Sequence, residues 1–277
     1  MYISWLKMVF YILRYAEIGL KGKNRSFFEN LLIKNIKKIL PSSEIKKVQG
    51  RFLVNTRDEF DFRRIFGLSS FSNAIMAEPV PELIAESALS LCPDLSSFRV
   101  SCQRIDKRMP FKSCDIEVEV GSFLVEKGGK VSLKNFKTEI FVELIEGKAY
   151  VFTEKIACFS GLPVGSQSKV AVVLESQNDV LAGLLALKRG CNLFPILKNF
   201  SESDILSFFG AEKSVDFKEI DLNKFLKDNN CLLLFSGQNI ELFDDFNTAV
   251  PVLRPLIFYY DKQIKQELGE YFSVFNK

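Results

Sequence analysis

The 277-residue sequence contains no histidine. That absence removes the side chain that most often acts as a general base near neutral pH and most often ligates metals. Ser-His-Asp and Cys-His catalysis are excluded with it. Cysteine is sparse and scattered: Cys92, Cys102, Cys114, Cys158, Cys191 and Cys231 form no C-x-x-C pair. A disulfide framework or zinc site is therefore not expected, and no metal is assigned. Buried free thiols in a reducing cytoplasm are the simpler reading. No uninterrupted apolar run approaches the length of about 18 residues that a membrane span needs. The opening "MYISWLKMVFYILRY" is apolar, but Lys7 breaks it, Arg14 and Glu17 follow closely, and no small-residue cleavage site comes after. It reads as a buried strand over residues 8–15 rather than a signal peptide. Residues 1–7 then form an extension, with Met8 as an alternative start. Net charge is also small, at +3. Only a local concentration of cations could point to nucleic acid.

What is present is apolar bulk. Hydrophobic residues make up 47% and include 27 phenylalanines, enough for real cores. The length suggests two domains or three small ones. "FFENLLIKNIKKIL" repeats apolar residues at helical spacing, with Asn24 or Ser26 as N-cap and Pro41 ending it. "RFLVNT" reads as a strand, and "FDFRRIF" as a short helix ended by Gly67. This βαβα order predicts a small ferredoxin-like sandwich. Residues 79–92 predict a helix, "SFRVSCQRID" a strand, and "CDIEVEVGSFLVEKGG" a helix closed by glycines. "TEIFVELIEGKAYVFTEKI" predicts a hairpin turning at Glu146-Gly147-Lys148. "FSGLPVGSQS" reads as a linker. "SKVAVVLESQNDVLAGLLALKRG" then predicts a β-branched strand and a helix with Gly190 as C-cap. "CLLLF" is a later strand, and "DKQIKQELGEYF" a final helix.

Two cationic loops stand at helix entrances. Lys21, Lys23 and Arg25 form the first, and Arg104, Lys107, Arg108 and Lys112 the second. Loop cations are usually just solvated, but two such loops make a split site for a phosphate backbone, which gives affinity without base specificity. Glu117 with Glu119, and Asp244 with Asp245, read as solvated carboxylates with no shared proton. Asp179 begins a helix, a place that favours an acid without catalysis. Ser236-Gly237 after an apolar strand is either a binding loop at a sheet's carboxyl edge or a plain turn.

"RYAEIGLKGKNRSFFENLLIKNIKKIL" resembles the opening of the tRNA 4-thiouridine synthetases, the tRNA sulfurtransferases. The likeness continues through "GRFLVN", "IFGLSSFSNA", "FRVSCQRIDKRMPFKSCDIEVEVGSFL", "GLPVGSQSKV", "LFSGQN" and "VLRPLIFYYDKQI", nearly the whole chain. The resemblance implies an α/β protein of three parts. Residues 1–58 would be an N-terminal ferredoxin-like domain and 59–164 a THUMP domain. Residues 165–277 would be a reduced doubly wound PP-loop domain of the adenine nucleotide alpha hydrolase type. In the family the first two hold the acceptor end of tRNA, while the third uses ATP to activate a uridine and a cysteine persulfide delivers sulfur. By position, the RNA contacts implied are Lys21, Lys23, Asn24 and Arg25 with Arg104, Lys107, Arg108 and Lys112.

The departures lie in the last part. The family's phosphate loop reads Ser-Gly-Gly-x-Asp-Ser, where this chain has Glu175-Ser176-Gln177-Asn178-Asp179. The paired glycines, whose backbone can approach a pyrophosphate closely, are absent. Glu175 would add charge beside a polyanion, and Gln177 would obstruct it. The second loop retains Ser236-Gly237-Gln238-Asn239 in place of the family's Thr-Gly-Glu-x-Leu-Gly-Gln. Ser176, Asp179, Ser236 and Gly237 are thus vestigial nucleotide contacts, and Asp179 and Lys262, which matches the family's last-helix lysine, are weak catalytic candidates. The sequence ends at "GEYFSVFNK", before the family's usual cysteine, and no rhodanese-like domain is expected. The expectation is a cytoplasmic tRNA-binding protein that grips the tRNA acceptor region and presents it to a separate catalytic or sulfur-donor protein, without adenylation activity of its own, without cofactor and without membrane. A homodimer fits the family's habit. The alternative is an active minimal tRNA sulfurtransferase using ATP and Mg, with borrowed sulfur or with Cys191 or Cys231 as the thiol.

Overall fold

The computed structural model describes residues 8–92, 94–108, 111–200 and 202–277. The extension read at residues 1–7 lies outside them. The first half runs β1 (Val9–Arg14), α1 (Arg25–Ile39), β2 (Glu44–Val48), β3 (Arg51–Thr56), β4 (Ser70–Ala77), α2 (Pro81–Leu91), β5 (Phe98–Arg104) and α3 (Ser113–Glu126). A hairpin of β6 (Thr138–Ile145) and β7 (Lys148–Phe152) follows, then the short β8 (Ile156–Ala157). The second half runs β9 (Lys169–Leu174), α4 (Gln177–Lys188), β10 (Asn192–Leu197), α5 (Asp204–Phe208), β11 (Val215–Asp216) and α6 (Leu222–Asp228). It ends with β12 (Leu233–Phe235), β13 (Val252–Leu253) and α7 (Asp261–Phe275).

Two compact units share these elements. The first takes residues through Arg14, Ser42–Phe60 and Ser70–Ala157. Its sheet has the order β2-β3-β1-β4-β7-β6-β5, with β8 beside β4. β4 is the joint: its first residues pair with β1, and Ile75–Ala77 pair with β7. The ferredoxin-like and THUMP strands therefore form one continuous sheet. Period-two alternation along β6 sorts its faces. Ile140, Val142 and Leu144 pack with Ile84, Ala88, Ile116, Val120 and Leu124 of α2 and α3. Phe141 and Ile145 turn the other way, against Ile12, Leu53 and Phe152. The hairpin turn uses Glu146 at φ 48° and Gly147 at φ 80°, the left-handed pair a two-residue turn needs.

The second unit takes Tyr15–Pro41, Asp61–Ser69 and Cys158–Lys277. Its sheet is wholly parallel, in the order β11-β10-β9-β12-β13. Val170, Val172 and Leu174 pack on α4, α5 and α7, while Ala171, Val173 and Leu234 pack on Leu226 of α6 and its neighbours. Both faces are covered, which is the doubly wound arrangement. The order reverses at β9, the point at which such a sheet brings the loops after two neighbouring strands, here β9 and β12, side by side. α1 belongs to this unit. It buries Phe28, Leu32 and Ile36, one turn apart, and closes with the Leu40 amide on the Ile36 carbonyl before Pro41.

The segment at 159–168 corrects the linker reading. Leu162 donates its amide to the Lys188 carbonyl, and Gly165 and Gln167 donate theirs to the Gly190 carbonyl. These bonds satisfy the carbonyls left over at the end of α4. Glycine and proline here serve close packing, not slack.

Candidate functional site

The reversal point brings the loop after β9 and the loop after β12 together. Asp179, in the first turn of α4, is buried. Its Oδ2 accepts from the Glu175 amide at 3.1 Å, the Ser176 amide at 3.0 Å and the Ser176 hydroxyl at 3.0 Å. Its Oδ1 accepts from the Gly237 amide at 2.7 Å. One carboxylate therefore ties the loop after β9 to the loop after β12. Burial pushes its pKa up, and the bonds from Gly237, Glu175 and Ser176 work against that rise. Gly237 lies so close to α4 that a Cβ there would meet the Asn178 carbonyl carbon at 2.2 Å and the Asp179 nitrogen at 2.4 Å. No side chain fits.

The second loop is held by its own groups. Ser236 Oγ accepts from the Gln238 amide at 3.2 Å, and buried Asn239 accepts from the amides of Glu241 and Leu242. Gln238 Oε1 accepts from Arg254 Nε at 2.9 Å. Lys262, exposed on the first turn of α7, lines a cleft of about 520 Å³ with Asn239, Ile240, Phe258 and Tyr260. Glu175 does not stand as a bare negative charge: Lys198 Nζ lies 2.6 Å from its Oε1. The repulsion expected from Glu175 is thus largely offset. The stronger obstacle is that the amides of Glu175 and Ser176 are given to Asp179. A phosphate-bearing nucleotide relies on such backbone donors, and these two are engaged by Asp179.

The cationic loops fall in different units. In the second unit, two short 3-10 turns lead into α1, which starts at Arg25 with Asn24 in the cap position. Lys23 and Asn24 are exposed, and Lys21 lies with its Nζ 5.0 Å from the Phe28 ring centre. Arg25 is anchored: its Nε donates to Glu29 at 2.9 Å and its Nη2 to the Tyr15 hydroxyl at 2.6 Å. The Tyr15 hydroxyl in turn donates to Glu29. In the first unit, Lys107, Arg108 and Lys112 are exposed between β5 and α3. Arg104 Nη1 donates to the Phe111 carbonyl at 3.1 Å. Arg108 grips Asp106 with two bonds of 2.9 Å and holds that carboxyl down at about 2.

The cysteines are all free. Cys191 and Cys231 are buried, and burial pushes both thiols up. A thiolate is disfavoured in such places. Sequence reasoning missed the part of Gly237 as the contact of the second loop with α4. Its signal was present, since glycine directly after an apolar strand marks close backbone approach.

The family model described as the ThiI ferredoxin-like domain matches residues 10–72, and the THUMP domain model matches residues 76–154. A protein of Thermococcus kodakarensis named probable tRNA sulfurtransferase is 38% identical over 67% of this chain and 54% of its own length. One of the same name from Natranaerobius thermophilus is 32% identical over 92% of this chain and 68% of its own. The chain thus spans about half to two thirds of these relatives. Among solved structures, PH1313 from Pyrococcus horikoshii is 27% identical with a TM-score of 0.78, covering 95% of this chain and 99% of that one. A 4-thiouridine synthetase–RNA complex with bound ATP shares the fold at TM-score 0.79 and 22% identity, covering 96% and 85%.

Proposed function

We propose a function from one premise: this chain belongs to the tRNA sulfurtransferase family. Within that family it is a tRNA-binding protein that grips the acceptor region electrostatically and does not itself adenylate the RNA. The grip comes from Lys21, Lys23, Asn24 and Arg25 in one unit and Arg104, Lys107, Arg108 and Lys112 in the other. Arg25 and Arg108 each already face a carboxylate. If about five of the seven cations meet phosphates, the log–log salt slope of binding is about −3.5 to −4.5. The RNA in the complex of the similar synthetase supports the partner class.

The observation that carries the second half of the reading is the bond from the Gly237 amide to Asp179 Oδ1 at 2.7 Å. With it, the second loop sits on the start of α4, and Asp179 holds the amides of Glu175, Ser176 and Gly237, three backbone donors at the place where a phosphate would be cradled. The domain serves as packing and as a docking surface for a separate catalytic or sulfur-donor protein.

The second reading, an active sulfurtransferase, is favoured by the relatives' printed name and by the retention of Asp179 and Lys262. One paired measurement decides. Purified protein is titrated with tRNA across salt concentrations, then supplied with ATP and tRNA and assayed for pyrophosphate. Salt-dependent binding with no pyrophosphate above background supports the first reading. Pyrophosphate release that requires tRNA establishes the second.

A further inference from the structure

In the second unit α1 walls a cleft of about 310 Å³, within the size range of small-molecule sites. Neither the loops at 175–179 and 236–239 nor the cationic loop at 21–25 lines it. Lys34 and Lys38 stand one turn apart on the α1 side, and Arg64 lines the same cleft. Glu212 is the one carboxylate among the described residues that line the cleft. Three cations against one carboxylate leave two positive charges facing one space.

The cleft is also held in shape. Asn35 Nδ2 donates to the Val164 carbonyl at 3.0 Å, tying α1 to the 159–168 segment. Arg64 Nη2 donates to the Phe208 carbonyl at 3.2 Å, and its guanidinium carbon lies 4.0 Å from the Phe208 ring centre. Phe208 meets Phe209 edge-on at 5.2 Å, and Phe209 meets Phe66 at 5.4 Å. The guanidinium is therefore fixed in plane and position before any ligand arrives, which lowers the entropic cost of binding. Burial pushes the Arg64 pKa down, so an incoming anion would gain more there than at a solvated arginine.

We propose that this cleft binds a phosphate monoester carried on a flat or apolar body, with Arg64, Lys34 and Lys38 on the phosphate and Phe208 and Leu31 against the body. A phosphate monoester carries about −1.5 to −2 charges near neutral pH, of the order of the excess of lining cations over the lining carboxylate. The half-buried Phe208 gives the body a surface that inorganic phosphate cannot use.

The test is isothermal titration of the full chain with adenosine 5′-monophosphate and, separately, with inorganic phosphate. The expected result is saturable binding of the nucleotide with a Kd below about 1 mM, and weaker binding of inorganic phosphate. The exposed pair Lys34→Glu and Lys38→Glu should weaken the nucleotide at least tenfold, as should Arg64→Gln, while Lys23→Glu leaves it unchanged. The lysine pair keeps the test decisive if the Arg64 variant folds poorly. Absence of saturation overturns the proposal, as does inorganic phosphate binding as tightly as the nucleotide. Nucleotide binding that persists in the lysine pair variant also overturns it, and counts instead against the reading of the loops at 175–179 and 236–239.

Discussion

Arg14 Nη2 donates to Glu143 Oε1 at 2.8 Å, joining β1 to β6 across 129 positions of sequence. Arg51 of β3 brings its Nε within 2.7 Å of Glu143 Oε2, and its Nη2 donates to Gln103 on β5 at 2.7 Å. Glu143 is 2% exposed. One carboxylate between two guanidiniums thus spans the ferredoxin-like and THUMP strands of the single sheet. Removing one member of a buried ion pair leaves the other charges without compensation and costs about 3–5 kcal/mol. Glu143→Gln should lower the urea midpoint of the first unit by a matching amount. A loss within about 0.5 kcal/mol, as for a surface substitution, would mean that water rather than Glu143 balances the two arginines.

Gly237→Ala places a methyl group 2.2 Å from backbone carbon of Asn178. The clash is with main chain at the start of α4, which cannot swing aside as a flexible side chain could. Overpacking in a well-packed place costs about 1–3 kcal/mol, and here the Asp179 bond is lost as well. Thermal unfolding should show a lower Tm for the second unit, with faster amide exchange at Gly237, Glu175 and Ser176. Unchanged exchange at those amides would show that the two loops are not clamped together.

The helices were legible because burial repeats at their own period. α1, α2, α3 and α7 lie where apolar spacing and caps placed them, and the β6–β7 hairpin follows its alternation and its Glu146-Gly147 turn. β2 was not legible, since Glu44, Lys46 and Lys47 are exposed on an edge strand and leave no apolar pattern. β10 hid behind Pro195, which argues against an inner strand. The structure accommodates it because β11 begins to pair only at Ile196. α5 and α6, at 5 and 7 residues, are too short to show a period. At the site, Asp179 at a helix start was readable, but its bond to a glycine 58 positions away was not.

Asp179 also sets a pH dependence with a definite sign. Burial lifts its folded-state pKa above the ordinary value of 3.8. The folded protein therefore holds this proton more tightly than the unfolded chain does. Its contribution to stability is fully present below 3.8 and is lost as pH rises through the folded value. Asp106, held down at about 2 by Arg108, pulls the opposite way, so the whole-protein curve is not diagnostic. The stability of the native protein minus that of Asp179→Asn isolates the group. That difference should fall as pH is raised from about 3 to about 6. A difference that grows with pH would show that the four hydrogen bonds outweigh burial.

The RNA grip can be dissected by the salt slope. Each phosphate contact removed should flatten the log–log slope by about 0.7–0.9 and weaken binding at all sequences alike. Lys23→Glu and Lys107→Glu are both exposed changes in separate units, and their effects should add if both loops touch one RNA. Arg25 behaves differently because Glu29 and the Tyr15 hydroxyl already hold it. Glu29→Gln removes the opposing charge while keeping an acceptor, so it should tighten tRNA binding, most at low salt. If the slope is unchanged by Lys23→Glu, and Glu29→Gln does not tighten binding, the loop at 21–25 makes no phosphate contact and the cations of the first unit act alone.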